Sequence, residues 1–346
     1  MSSATILRWR RRHGHREAKV GIDRLLRPQW LLVAVVFAGG AEAQDSSIGS
    51  GQAFPAKSIR IIVGPGPDII ARLFGQKFAE TWGHQTIVEQ RPGGGGTIAL
   101  EFVAKSPPDG YTLFLGSISN AISAALYPKL NFDIVRDFAP VTLLATTPGV
   151  LVVHPALPVK TVKEFVALAK AKPGTLNYSS AGIGSSSHLA PELLAMMTGI
   201  NIVHVPYKGG GPGLVDLLSG QMQFMMTTTP AAMPHVKSGK VRALGVTSAK
   251  RSQSLPELPT IAEAGVKGYE VSTWYGVLAP AKTSKTIVTR LHGEIIKLIA
   301  VPDTKEKLLS QGFEPVGSTP DEFGAYIKSE IAKWAKVIKT AKIKAE

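Results

Sequence analysis

Ile59-Arg-Ile-Ile-Val-Gly-Pro-Gly-Pro-Asp-Ile-Ile-Ala-Arg-Leu-Phe74 reads as a strand, a glycine turn and the start of a helix. Ile59–Val63 is short and almost wholly apolar, as a strand covered on both faces must be. Ile70, Leu73, Phe74, Phe78 and Trp82 then recur at helical spacing along one face, and Gly83 closes the pattern. Pro67 fixes φ where a helix begins, and the Asp68 carboxylate suits the positive end of the helix dipole. Many nucleotide sites begin in this order. Gly64 and Gly66 match two glycines of the dinucleotide fingerprint, but Ile69 stands where the third would let helix and strand pack closely. As a phosphate cradle the turn is weak, so its meaning depends on the rest of the chain.

The alternation continues. Strands are expected at Thr86–Glu89, Tyr111–Leu115, Leu176–Ser179, Ile202–Val205, Gln223–Met226 and Arg242–Val246. Helices are expected at Thr97–Lys105, Val162–Ala171 (with Thr161 as N-cap), Ser186–Thr198, Gly213–Ser219, Ile287–Ile299 and Pro320–Lys339. Strands separated by helices of this length imply an α/β fold with parallel sheets covered on both faces. The proline-rich stretches near Thr147–Val159 and Ala279–Ser284 mark places where the chain could cross between two lobes.

The 346 residues allow two domains, and 44% hydrophobic against 18% charged residues suits a chain that buries a core. With no Cys, disulfides, thiolate metal sites and cysteine nucleophiles are excluded. The net charge of +14 is partly local: Arg8, Arg10, Arg11, Arg12, Arg16, Lys19, Arg24 and Arg27 face only Glu17, Asp23 and Glu42 in residues 1–43. No nucleic-acid motif accompanies the charge, so a solvated basic surface is expected and no nucleic-acid partner. The basic region precedes the apolar run Trp30–Ala38 and the small-x-small pattern Ala41-Glu42-Ala43. Residues 1–43 read as a secretory signal peptide whose apolar run is too short to span a bilayer, which predicts a periplasmic protein.

Several loops carry polar chemistry. Gly93–Gly96 is a flexible turn, since no Gly-Lys-Ser/Thr follows it. Gly182-Ile-Gly-Ser-Ser-Ser-His188 leaves a strand and opens a helix, where free backbone N–H groups and the Ser185 and Ser186 hydroxyls suit an anion. The same residues allow a hydrolase, with Ser185 or Ser186 as nucleophile and His188 as base. However, the G-x-S-x-G elbow is absent and no carboxylate is placed by sequence to orient the histidine. Tyr207-Lys208 and the glycines that follow form another strand-to-helix turn, and Ser117, Ser119 and Asn120 lie just past a further strand end. Ligands in open α/β sheets bind at such ends. His188 and His204 are too isolated to argue for a metal, and no cofactor is expected.

A set of ordered motifs adds a resemblance. Val88-Glu-Gln-Arg-Pro-Gly-Gly-Gly-Gly96, Pro108-Asp-Gly-Tyr-Thr-Leu113, Asp137-Phe-Ala-Pro-Val141, Leu176-Asn-Tyr-Ser-Ser-Ala-Gly182, Val203-His-Val-Pro-Tyr-Lys-Gly209, Gly239-Lys-Val-Arg-Ala-Leu244 and Pro259-Thr-Ile-Ala-Glu-Ala-Gly265 together resemble the Bug receptors. These are the substrate-binding proteins of tripartite tricarboxylate transporters. The likeness runs from about Pro55 to the C-terminal helix. It implies a two-lobe, type II-like Venus flytrap with two crossover strands, lobe 1 being 55–150 plus 275–346 and lobe 2 being 151–274. It also implies a monomer that traps a small organic acid and presents it to membrane permease subunits. On matching positions the ligand would meet Gly66, Ser117, Ser119 and Asn120 from the first lobe, and Gly182, Gly184, Ser185, Ser186, His188, Tyr207, Lys208 and Thr227 from the second.

Two departures from the family pattern stand out. The first loop, usually Pro-Phe-x-Pro-Gly-Gly-x-x-Asp, is reduced here to Gly64-Pro65-Gly66-Pro67 before Asp68. Thr227-Thr228-Thr229 stands where the family often has Asp-Asn, which leaves a neutral wall and favours a plain organic acid over an amino acid. A shortened loop would also suit a sensor that no longer serves transport.

Overall fold

The computed structural model describes residues 54–64, 68–91, 93 and 96–345. The expected signal peptide and Gly66 lie outside them. The chain opens with β1 (Arg60–Val63), α1 (Ile69–Trp82), β2 (Ile87–Gln90), α2 (Thr97–Ala104), β3 (Thr112–Ser117) and α3 (Ile118–Leu126). A long strand, β4 (Phe138–Val153), leads to α4 (Val162–Ala171), β5 (Asn177–Ser180), α5 (Ser186–Thr198), β6 (Val203–Pro206), α6 (Gly210–Leu218), β7 (Phe224–Thr228), α7 (Thr229–Lys237) and β8 (Arg242–Val246). It returns through β9 (Ser272–Pro280), α8 (Lys285–Ala300), α9 (Pro302–Ser310), β10 (Glu314–Pro315) and α10 (Pro320–Thr340).

The strands follow the order β2-β1-β3-β9-β4-β7-β5-β6, with β8 and β10 also on β4. β4 is common to the two lobes: Phe138–Pro148 pairs with β9, and Gly149–Val153 pairs with β7 and β8. The β1/β2, β1/β3, β5/β6 and β5/β7 pairs are parallel, as the alternation implies, but β9 runs antiparallel to both β3 and β4. The sheets are therefore mixed, which corrects the expectation of wholly parallel ones. Throughout Ser272–Pro280 the partners of β9 are β3 and the first part of β4.

β4 and β9 escape a pattern reading for a physical reason. Pro140 and Pro148 interrupt β4, and proline is tolerated in a strand only at edges and irregularities. The ladder register shifts just after Pro140, and Pro148 is the last residue paired with β9 before β4 changes partners. At the start of α1, Asp68 makes no cap bond; its carboxylate instead takes the Arg72 guanidinium at 2.9 Å.

One buried cluster runs through both lobes, from Ile62 and Phe114 to Tyr178 and Phe224. α10 links them, because it lies against both α3 and α5. Phe323, Ile327, Trp334 and Ile338 are buried at helical spacing along α10, with Ile331 half-buried on the stripe and Glu330 buried among them. The approach of α10 to β9 requires a glycine: a Cβ on Gly276 would stand 2.1 Å from the Phe323 ring.

Candidate functional site

The site sits where strands end and helices begin. A cleft of ≈ 470 Å³ is lined by Ser117–Asn120 at the start of α3, Ser185–Ser187 at the start of α5, Gly210 and Gly211 at the start of α6, and Thr227, Thr228 and Ala231 around the start of α7. Four helix N-termini thus face one space. Each brings N–H groups without intrahelical partners and the positive end of a dipole. Val63, Leu115, Leu214, Met225, Met226, Val271 and Tyr275 supply apolar wall. Among the described residues, no Asp, Glu, Lys, Arg or His lines the cleft. In an uncharged, partly apolar enclosure, oriented N–H groups act on an anion with little competition from water.

Hydroxyls add to these donors. Those of Ser119, Ser186, Thr227 and Thr228 have no protein hydrogen-bond partner among the described residues, so a ligand can take them. Others hold the frame. Ser185 Oγ donates to Gly182 O at 2.7 Å and accepts from His188 N–H at 3.2 Å, which caps α5. Ser187 Oγ accepts from Ala181 N–H at 2.9 Å, and Asn120 Oδ1 accepts from Ser117 N–H at 2.7 Å.

Of the twelve positions expected from sequence, the structure brings Ser117, Ser119, Asn120, Ser185, Ser186 and Thr227 to the cleft lining. Gly66 lies outside the described residues. Gly182, Gly184, His188, Tyr207 and Lys208 do not line it. Gly182 (φ 121°) and Gly184 (φ 76°) shape the turn before α5 in left-handed backbone that favours glycine. Tyr207 donates to Asp216 within its own turn and helix, and Lys208 is exposed. The glycines after Lys208 form the lining there: a helix start recognises through backbone N–H, and a bulky side chain would screen it. The same motif therefore carried the signal, two residues later than the side chains suggest. Ser187, Thr228, Thr273 and Tyr275 were missed as well. The last two lie on β9, which sequence periodicity does not reveal.

His188 belongs to a layer behind the site. Its ring is buried, stacks on His204 at 3.7 Å between centroids, and accepts Gly184 N–H on Nδ1 at 3.2 Å. His204 Nε2 lies 2.6 Å from Ser180 Oγ, and Tyr178 stacks on His204 while donating to Glu192 at 2.6 Å. Burial pushes His188 down to about 3, helped by the neighbouring His204, and burial alone takes His204 down to about 4. Both rings are thus neutral in the folded protein where the unfolded chain begins to protonate its histidines. Stability from the pair is present above pH ~6.5 and is lost as pH falls toward 4. Glu192, raised by burial, acts in the opposite direction as pH rises. The difference between two proteins isolates the His204 share: His204→Phe should keep the stack and reduce the loss between pH 6.5 and 4 without removing it, because His188 stays depressed by its own burial, read as urea midpoints across that range.

No group of three His, Asp, Glu or Cys among the described residues could hold a metal ion, and no helix among them is long and apolar enough to cross a membrane. The family model described as tripartite tricarboxylate transporter family receptor matches residues 70–343. Protein BugT of Bordetella pertussis is 35% identical over 89% of this chain and 96% of its own length. Among solved structures, R. palustris Rpa4515 with adipate is 37% identical, with a TM-score of 0.74, covering 84% of this chain and 99% of that one. MatC from Rhodopseudomonas palustris with bound malate is 32% identical with a TM-score of 0.70, covering 82% and 100%. With a family model over most of its length and relatives of this identity over nearly all of theirs, the chain belongs to the tripartite tricarboxylate transporter receptor family.

Proposed function

We propose that this chain is an exported, periplasmic receptor that closes on a small organic carboxylate and delivers it to the membrane permease of a tripartite transporter. The convergence of four helix N-termini on an uncharged cleft carries the reading. An anion held this way needs no countercharge on the protein, so release to a permease breaks no ion pair. The wall at Thr227 and Thr228 sets no carboxylate opposite an ammonium group, which favours a plain organic acid over an amino acid. Adipate and malate in the two related structures are acids of this kind. In this reading lobe 1 is 55–150 plus 275–346 and lobe 2 is 151–274. They bend where β4 changes partners at Pro148 and Gly149 and where the chain returns through Thr247–Val271.

The hydrolase alternative finds less support. Among the described residues no hydrogen bond joins the His188 imidazole to a serine hydroxyl; its Nδ1 is occupied by Gly184 N–H. A thermal-shift screen of mono-, di- and tricarboxylates on the mature chain tests the proposal. Stabilisation grows as RT ln(1 + [L]/Kd), so a ligand at 100-fold excess over Kd should add about 2.7 kcal/mol. Ester turnover abolished by Ser185→Ala and Ser186→Ala, without any shift by carboxylates, would overturn it.

A further inference from the structure

We propose that His188 is a positioning residue for the anion site: its neutral imidazole caps α5 where a helix start ordinarily takes a carboxylate, which leaves the positive end of that helix to the ligand. The inference rests on the reading of the cleft as an anion receptor, and adds how its helix starts are kept free of negative charge.

A helix cap is often reciprocal. A Ser or Thr ahead of the helix accepts the N–H of the third helical residue, and the side chain of that residue, commonly Glu or Gln, accepts an N–H from the segment leading in. Among the described residues four helices make this second bond. In α4 it is Glu164, whose Oε2 accepts Lys160 N–H at 2.6 Å while Thr161 Oγ1 accepts Glu164 N–H at 3.1 Å. In α10 it is Glu322, whose Oε2 accepts Thr319 N–H at 2.9 Å. In α3 it is Asn120, which takes Ser117 N–H. In α5 it is His188, whose Nδ1 accepts Gly184 N–H at 3.2 Å while Ser185 Oγ accepts His188 N–H. The pattern of α5 repeats that of α4 position for position, with an imidazole in place of the carboxylate.

The division follows the cleft. The starts of α4 and α10 do not line it, and they carry Glu. The starts of α3 and α5 line it, and their third residues are a neutral amide and an imidazole. The third residues of α6 and α7, Pro212 and Ala231, are uncharged as well. A carboxylate in the first turn stabilises a helix, and for the same reason it competes with a bound anion for the same dipole end. In a cleft without charged lining residues that competition is weakly screened.

An imidazole avoids the conflict only while neutral. With Nδ1 accepting, its proton sits on Nε2, and a second proton would set two N–H groups against each other. The surroundings enforce neutrality. The ring is buried and stacked on His204 at 3.7 Å, and burial first, then His204, pushes it down to about 3. The other titratable groups placed around it are Tyr178 on β5, whose hydroxyl lies 3.3 Å from His188 O, and Glu192 on α5 itself, which takes the same hydroxyl.

Calorimetry with adipate and with malate, at pH 7 and pH 9, tests this on matched pairs. His188→Gln keeps a neutral acceptor and should bind within about threefold of wild type. His188→Glu keeps the acceptor but adds the charge; it should bind about tenfold or more weakly than the Gln variant, the gap widening toward pH 9 as the carboxyl ionises. Hydrogen exchange at the Gly184 amide should stay slow in both, which shows the cap intact, and turn fast in His188→Phe. At the second neutral cap, Asn120→Asp should weaken binding about tenfold beyond Asn120→Ala. Glu322→Gln, away from the cleft, should leave affinity unchanged. Should the His188 variants fail to fold, the Asn120 pair decides. Glu and Gln variants of equal affinity at pH 9, or Asp and Ala variants of equal affinity at position 120, overturn the inference while the receptor reading stands. Binding of no carboxylate by the wild type overturns both.

Discussion

Gly211→Asp is expected to abolish carboxylate binding and leave the fold at least as stable. Gly211 lies in the first turn of α6 and lines the cleft, and a Cβ added there meets nothing within 4 Å. The new side chain therefore displaces no packing. A carboxylate in the first turn of a helix is favourable to that helix by a few tenths of a kcal/mol. To a bound anion it is adverse in two ways. It competes for the N–H groups at the start of α6, and it places like charge in an uncharged enclosure. At ~5 Å and an effective dielectric of ~20, the repulsion is about 3 kcal/mol, or a Kd weakened roughly 200-fold. Gly211→Asn adds nearly the same volume without the charge and should bind within about tenfold of wild type. Calorimetry with the strongest ligand from the screen, beside denaturation midpoints of both variants, decides the matter. An Asp variant that binds like wild type would mean that the helix starts do not hold the ligand.

What the sequence reveals and what it hides follow one physical line. Elements with a single period were legible: Val162–Ala171, Ser186–Thr198 and Arg242–Val246 lie where periodicity puts them, and Thr161 caps α4 by accepting Glu164 N–H. β4 and β9 were not, because the shared strand bends at prolines and changes partners along its length. The lining residues Thr273 and Tyr275 were lost with them. The same holds for the site. Motifs pointed to loops that meet at the cleft, yet the side chains with the most evident chemistry, His188, Tyr207 and Lys208, do not line it. Small residues that expose backbone, Gly210 and Gly211, face the cleft in their place. Val63 and Gly64, which precede the rest of the opening turn, line the cleft. A glycine-rich turn marks an exposed helix start; the composition around the remaining starts then decides whether the guest is a phosphate or a carboxylate.

Glu330→Ala should destabilise the protein by about 3–5 kcal/mol, from two stranded buried donors at about 1–3 kcal/mol each and the cavity left behind. Glu330 is 3% exposed on α10. Its Oε2 accepts from Trp274 Nε1 at 3.3 Å and from Trp334 Nε1 at 3.1 Å, and its Oε1 pairs with Lys333. Both indoles are fully buried, so truncation strands two N–H donors where water does not reach, besides leaving a cavity. Glu330→Gln separates the contributions. An amide oxygen can still accept from the indoles, so this variant should lose only the charged component, about 1–2 kcal/mol. Lys333→Ala removes a partly exposed partner and should cost less than about 1 kcal/mol. Urea midpoints rank the three variants; a Glu330→Ala cost no larger than that of Lys333→Ala would mean the carboxylate does not bind α10 to β9. The site is affected as well. Trp274 lies between Thr273 and Tyr275, so its indole fixes the strand whose alternate residues form the cleft floor. Where Glu330→Gln still folds, ligand affinity should fall in parallel with the loosening of β9, because donors that move freely pay for their ordering at each binding event.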